Sequence, residues 1–247
     1  MTGASSGIGA DLAREFAARG HNLVLVARRR DRLEALAAEL VGRGVKAEVM
    51  EADLGDPGAL EHLVAGLVAH GIELHTLVNN AGFGLKGRFA ELAADEQFAM
   101  VELNVVALTK LSRLVLPGMI GRRTGGLLNV ASLAAFLAGP NMAVYYATKA
   151  YVLSLSEALH EEAKPHGVTV TALCPGPVVT EFWERARMEV TGGLRAGALA
   201  SADVARAGVE GYLAGRAIVV PGVGPKLGLA GMRFLPRALT RRIAGSL

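Results

Sequence analysis

Cysteine is all but missing from this chain: Cys174 is the only one. No intrachain disulfide can form, and a reducing, cytoplasmic compartment is the expectation. The six histidines, at 21, 62, 70, 75, 160 and 166, show no His-x-x-x-His or Cys/His spacing, so no metal site is expected. Neither sign of charge is in large excess. Lys plus Arg number 26 against 23 for Asp plus Glu, and no stretch interleaves aromatic with basic residues. That argues against nucleic acid as a partner. One uncharged run, Thr124 to Thr148, has the length of a membrane span. Gly125, Gly126, Asn129, Ser132, Gly139, Pro140 and Asn141 interrupt it, so a buried strand and a loop are expected there, with no transmembrane span. The first residues are Gly/Ser-rich, without the charged-then-apolar pattern of a secretory leader.

What is present is alternation. Strand-like runs occur at Asn22–Ala27, Lys46–Glu51, Thr76–Asn79, Leu127–Ala131, Val168–Cys174 and Ala217–Val220. Between them lie helical patterns. Leu33, Leu36, Ala37 and Leu40 form one apolar face, and Leu60, Leu63, Val64, Leu67 and Val68 form another after Pro57. Further helices are expected at 95–119, at 144–164 before Pro165 and Gly167, and at 202–213. Strand–helix alternation of this kind specifies an α/β fold with a doubly wound parallel sheet. No linker or repeat divides it, so residues 1–247 are expected to form a single domain.

Thr2-Gly3-Ala4-Ser5-Ser6-Gly7-Ile8-Gly9 runs directly into a helical stretch, Ala10 to Arg19. Glycines let backbone N–H groups approach a pyrophosphate, and a helix N-terminus favours its charge. The strand normally preceding such a loop is absent from the sequence, although it is central in a doubly wound sheet. The expectation is that the natural product begins upstream of Met1.

Tyr145 and Lys149 are one helical turn apart, and Ser132 lies thirteen residues before the tyrosine. A phenol, with an ordinary pKa of about 10, is a weak catalyst at neutral pH. A lysine at i+4 is expected to favour the phenolate and draw that pKa down. Tyr146 competes for the same role, being three residues before Lys149.

With the glycine loop, Asp53-Leu54, Asn79-Asn80-Ala81-Gly82, Asn104, Ser132, Tyr145-x-x-x-Lys149, Pro175-Gly176 and Thr180 in this order, the chain resembles the short-chain dehydrogenase/reductase family. The resemblance is to its single-domain, Rossmann-type branch, near carbonyl, 3-oxoacyl and 17β-hydroxysteroid reductases. It implies that Tyr145 exchanges the proton, Ser132 orients the substrate oxygen, and Lys149 tunes the tyrosine and bonds the nicotinamide ribose. It also implies that Asn104 holds a water linking the lysine to solvent. Asp53 and Leu54 would contact the adenine, and Asn80, Ala81 and Gly82 the adenosine side. Pro175, Gly176, Val178 and Thr180 would flank the nicotinamide. The resemblance selects Tyr145 over Tyr146, which would pack beside the site, and it implies a homodimer or homotetramer.

NAD-binding relatives place an acid after the strand at 22–27 to accept from the ribose hydroxyl. Here Ala27 precedes Arg28, Arg29 and Arg30. An arginine matches a 2′-phosphate, so Arg28 and NADP(H) are expected in preference to NAD(H). The absence of a basic residue at Ser6 weighs the other way. Residues 178–200, with Phe182, Trp183 and Met188, are the expected substrate loop, suggesting a lipophilic ketone or 3-oxoacyl substrate. The tail, 225–247, carries Leu235, Leu239 and Ile243 among Arg233, Arg237, Arg241 and Arg242. Packing on its own domain or on a partner subunit is expected over contact with anionic lipid. Two other functions fit less well: an NAD-linked alcohol or sugar dehydrogenase, and a dinucleotide sensor without turnover.

Overall fold

Runs of β-branched and leucine residues form the parallel strands of this α/β fold, seen here in a computed structural model that describes residues 1–188, 197–232 and 235–245. Residues 189–196 of the expected substrate loop, and Arg233 of the tail, lie outside the described residues. The strands are β1 (Leu23–Ala27), β2 (Ala47–Glu51), β3 (Thr76–Asn79), β4 (Gly126–Val130), β5 (Thr169–Leu173) and β6 (Ile218–Val219). β1 pairs with β2, and the others run in the order β3-β4-β5-β6, all parallel.

Between β1 and β3 stand Met1 and Thr2. The Met1 amine donates to Val24 O at 2.9 Å, Val26 N donates to Met1 O at 2.9 Å, and Thr2 N donates to Val78 O at 3.0 Å. Thr2 also forms a parallel bridge with Val26. These two residues stitch the two sheets together where a central strand would run.

Helices cover both faces. They are α1 (Gly7–Ala17), α2 (Arg30–Val41), α3 (Ala59–Ala69), α4 (Ala94–Val101), α5 (Leu108–Arg122), α6 (Ala143–Ala163), α7 (Phe182–Arg185), α8 (Ser201–Leu213), α9 (Val223–Met232) and α10 (Arg237–Gly245). Successive strand residues point to opposite faces, so Leu128 and Val78 join one core while Leu127 and Leu77 join the other. The first core holds Leu12, Phe16, Leu33, Leu40 and Val204 from α1, α2 and α8. The second holds Leu60, Leu63, Leu111, Met119 and Ala163 from α3, α5 and α6. Truncating either fully buried leucine of β4 to alanine costs about 2–5 kcal/mol.

The sequence predicts one helix over 95–119, but the structure breaks it. A π-helical turn, Glu102–Ala107, separates α4 from α5 and carries the buried Asn104. The π turn adds a residue and redirects the helix face, as such turns do at functional sites. The short helix α7 and the Gly/Pro-rich α9 have no counterpart in the sequence expectations. In α10, Ala244 is buried and Gly245 lies against Pro140, so the tail packs on its own chain. Among the described residues, no helix is long and apolar enough to cross a membrane.

Candidate active site

The C-terminal ends of the parallel strands open into one cavity of about 960 Å³. Open α/β sheets bind ligands at this edge. Every residue expected to touch a cofactor lines this cavity, and Asn104 stands behind its wall.

The glycine loop forms its floor. Gly7 has φ of +53°, and a Cβ on Gly9 would lie 2.2 Å from Gly3 O, so neither position tolerates a side chain. Ser6 precedes α1 without a side-chain cap, and the first turn holds no acid, leaving backbone donors free for a negative group. The residues therefore fit a dinucleotide pyrophosphate. Thr2, part of the expected loop but not of the expected cofactor contacts, anchors it. Its hydroxyl donates to Val78 O and accepts from the backbone of Asn80 and Ala81, while Asn80 Nδ2 donates to Thr2 O and Gly3 O.

At the opposite end, β4 delivers Ser132 and α6 delivers Tyr145 and Lys149. The Ser132 hydroxyl accepts from Ala134 N at 3.1 Å and lies near enough to the Tyr145 phenol to favour its ionised form. Helical spacing then sets Lys149 one turn on, with Nζ 5.9 Å from the tyrosine ring centroid. Lys149 Nζ donates to Val130 O at 2.8 Å.

The electrostatics here correct the sequence expectation. Burial pushes the Tyr145 phenol up to about 12, against a downward pull from Ser132. The lysine is not what moves it. Burial also brings the Lys149 ammonium down to about 8. Desolvation outweighs the expected pairing because Lys149 is buried, Tyr145 is half-buried, and the lysine is turned onto a backbone carbonyl.

Asn104 Oδ1 accepts from Phe83 N, and its Nδ2 donates to Phe83 O and Thr148 Oγ1. The side chain is committed to protein groups, so a water linking Lys149 to solvent would have to be held by other atoms of this residue. Tyr146 packs against Gly139, where an added Cβ would meet its ring at 2.4 Å, and meets Tyr145 edge to face. Cys174 is buried, and burial raises its thiol to about 12, leaving it protonated and inert.

Charged groups mark the third region. Arg28 is exposed and pairs with Asp53 at 3.3 Å, while Asp53 Oδ1 also accepts from Gly55 N. Arg29, which the sequence did not single out from its neighbours, turns onto the glycine loop. It donates to Ser5 Oγ at 3.0 Å and Ser6 Oγ at 2.8 Å, and pairs with Glu181 at 2.8 Å. Arg32 takes the other oxygen of Glu181. Three consecutive arginines offer no periodicity that could reveal that both Arg28 and Arg29 line the cavity.

After β5, Pro175 O accepts from Leu133 N, and Val178 O accepts from the Trp183 indole. Thr180 lies against Gly7, and the Phe182 ring sits 5.4 Å from Tyr145. Phe83, Met142, Trp183 and Met188 add apolar walls beside the phenol.

A family model described as short chain dehydrogenase matches residues 1–190. The very-long-chain 3-oxoacyl-CoA reductase of Anas platyrhynchos is 35% identical over 188 residues, covering 74% of this chain and 60% of the relative. This chain therefore spans less than two thirds of that relative's length. A solved short-chain dehydrogenase from Sphingobium yanoikuyae in complex with NADPH is 38% identical, with a TM-score of 0.85 over 94% of this chain and 92% of that one. A short-chain dehydrogenase/reductase from Burkholderia phymatum in complex with NAD is 27% identical, with a TM-score of 0.85 over 98% and 94%.

Proposed function

The chain belongs to the short-chain dehydrogenase family, and from that premise we propose that it is an NADPH-dependent carbonyl reductase, reversibly an alcohol dehydrogenase. Its substrate is a lipophilic ketone or a 3-oxoacyl compound. The observation that carries this reading is the grouping of Ser132, Tyr145 and Lys149 on one cavity with an uncapped helix N-terminus.

The cofactor, when bound, supplies a hydride to the substrate carbon or takes one from it. Tyr145 gives its proton to the carbonyl oxygen, and at about 12 it is fully protonated at neutral pH. Ser132 donates to the same oxygen and steadies charge as it develops there. Lys149, held by Val130 O, keeps two further donors for the cofactor ribose and is mostly charged below about 8. Asn104 positions Thr148 and Phe83 on either side of these groups. Phe182, Trp183 and Met142 exclude water and favour an apolar substrate. Arg28 and Arg29 supply the guanidinium groups for a 2′-phosphate. Support comes from the NADPH-bound relative at 38% identity and from the relative named for 3-oxoacyl-CoA reduction.

An NAD-linked reaction is the second reading, favoured by the carboxylate already seated on Arg29. Oxidation of NADPH and of NADH, followed over a panel of lipophilic ketones and 3-oxoacyl thioesters, separates the two. Turnover with NADPH at the higher kcat/KM is expected. Turnover with NADH alone, or with no carbonyl in the panel, would overturn the proposal.

A further inference from the structure

Glu181 reaches from the segment after β5 to the basic cluster at the start of α2. Its two oxygens are divided between Arg29, at 2.8 Å, and Arg32. Arg29 directs Nε and Nη2 to Ser5 and Ser6, so its guanidinium is held on the glycine loop as well as on Glu181. A carboxylate on an arginine occupies the position that a phosphate oxygen would take. Arg32 and then Arg29 hold the Glu181 carboxyl down at about 2, so it is ionised throughout the working pH range.

The neighbours of Glu181 give this contact reach. Thr180 lies against Gly7 of the pyrophosphate loop, and Phe182 lies against the Tyr145 ring. Three consecutive residues thus touch the loop, the arginine cluster and the tyrosine. Whatever moves Glu181 shifts a wall of the substrate region.

We propose that Glu181 is a specificity-determining residue for the cofactor: its carboxylate holds Arg29, a 2′-phosphate displaces it, and the displacement is passed to Phe182 beside Tyr145. This rests on the reading of the arginine cluster as the 2′-phosphate site. Binding of a dinucleotide without that phosphate leaves the Glu181–Arg29 pair in place. NADP(H) binding therefore carries the cost of breaking an ion pair, and gains a shift at Phe182 that NAD(H) does not produce. Both partners are about two-fifths exposed, which keeps the cost small and the exchange reversible.

The test is the affinity of the full chain for NADP⁺ and NAD⁺, read from the fluorescence of Trp183, the only tryptophan, which follows Phe182 directly. Glu181→Gln and Glu181→Ala are both expected to tighten NADP⁺ by about threefold to tenfold, with NAD⁺ changed by less than about twofold. In an Arg29→Ala background the effect of Glu181→Gln disappears. If Arg29→Ala weakens NADP⁺ but both Glu181 variants leave it unchanged or weaker, the Glu181 assignment is wrong and the phosphate site stands. If Arg29→Ala leaves NADP⁺ affinity intact, the reading of the phosphate site fails, and this proposal with it.

Discussion

The two ends of the cavity are built by different physics. At the tyrosine end, Lys149 is almost wholly buried, and its ammonium is tied to the backbone of β4. There burial sets the ionisation of both Tyr145 and Lys149. At the arginine end, Arg28, Arg29, Arg32 and Glu181 are half-exposed; Arg28 pairs with Asp53, and Arg29 and Arg32 share Glu181. The buried end is rigid and expensive to alter, while the exposed end consists of pairs that exchange cheaply. Reaction chemistry can be fixed at one end while cofactor preference is tuned at the other.

The largest expected effect lies at the buried end. Ser132→Ala removes a donor to the substrate oxygen and should lower kcat by about a hundredfold to a thousandfold. It also removes the cap on Ala134 N, for about 1 kcal/mol of stability. Steady-state kinetics beside urea unfolding separates these two losses. A fall in kcat no greater than the stability loss accounts for would make the two ends alike.

Next comes Lys149→Met, read through pH. A buried lysine with a lowered pKa penalises the folded state while it is charged. The penalty is full below about 8 and is relieved as pH rises towards its ordinary 10.5. The native protein should therefore gain stability from this group over that window, by about 3 kcal/mol. Tyr145, raised to about 12, opposes this only above its ordinary value of 10. Unfolding midpoints at about pH 7 and about pH 9.5 should converge in Lys149→Met. An unchanged pH slope would mean that the lysine is not desolvated.

Asn104→Ala strands the Phe83 backbone groups and should cost about 2 kcal/mol, seen in thermal unfolding. Smallest is Arg28→Ala, which breaks only the exposed Asp53 pair and should shift stability by less than about 0.5 kcal/mol. Its effect should appear in NADPH affinity, measured by calorimetry. A stability loss as large as that of Asn104→Ala would erase the contrast between the two ends.

The buried end was largely legible in the sequence. Strands β1 to β5 each overlap a strand-like run of the sequence, and the order of Ser132, Tyr145 and Lys149 points to a shared location. Geometry that depends on direction was less legible. The apolar spacing over 95–119 is compatible with a continuous helix, so the π turn at Asn104 could be read only from an asparagine in an otherwise helical run. The i+4 spacing of Tyr145 and Lys149 pointed to electrostatic pairing. It could not register that both groups would be desolvated or that Val130 O would claim the ammonium. At the exposed end, the sequence points to Arg28, which lines the cavity, but carries no sign that Arg29 is seated on Ser5 and Ser6. Glu181 carries no motif of its own, and its partner lies 152 positions away in the chain.

The most direct test of the central claim is the transfer of deuterium from deuterated NADPH to a ketone by the native chain and by Tyr145→Phe. The account predicts a product labelled at the carbinol carbon from the native chain. It predicts a rate lower by about a thousandfold from the variant, with NADPH affinity held within a few-fold. Labelled product formed by Tyr145→Phe at the native rate would contradict it.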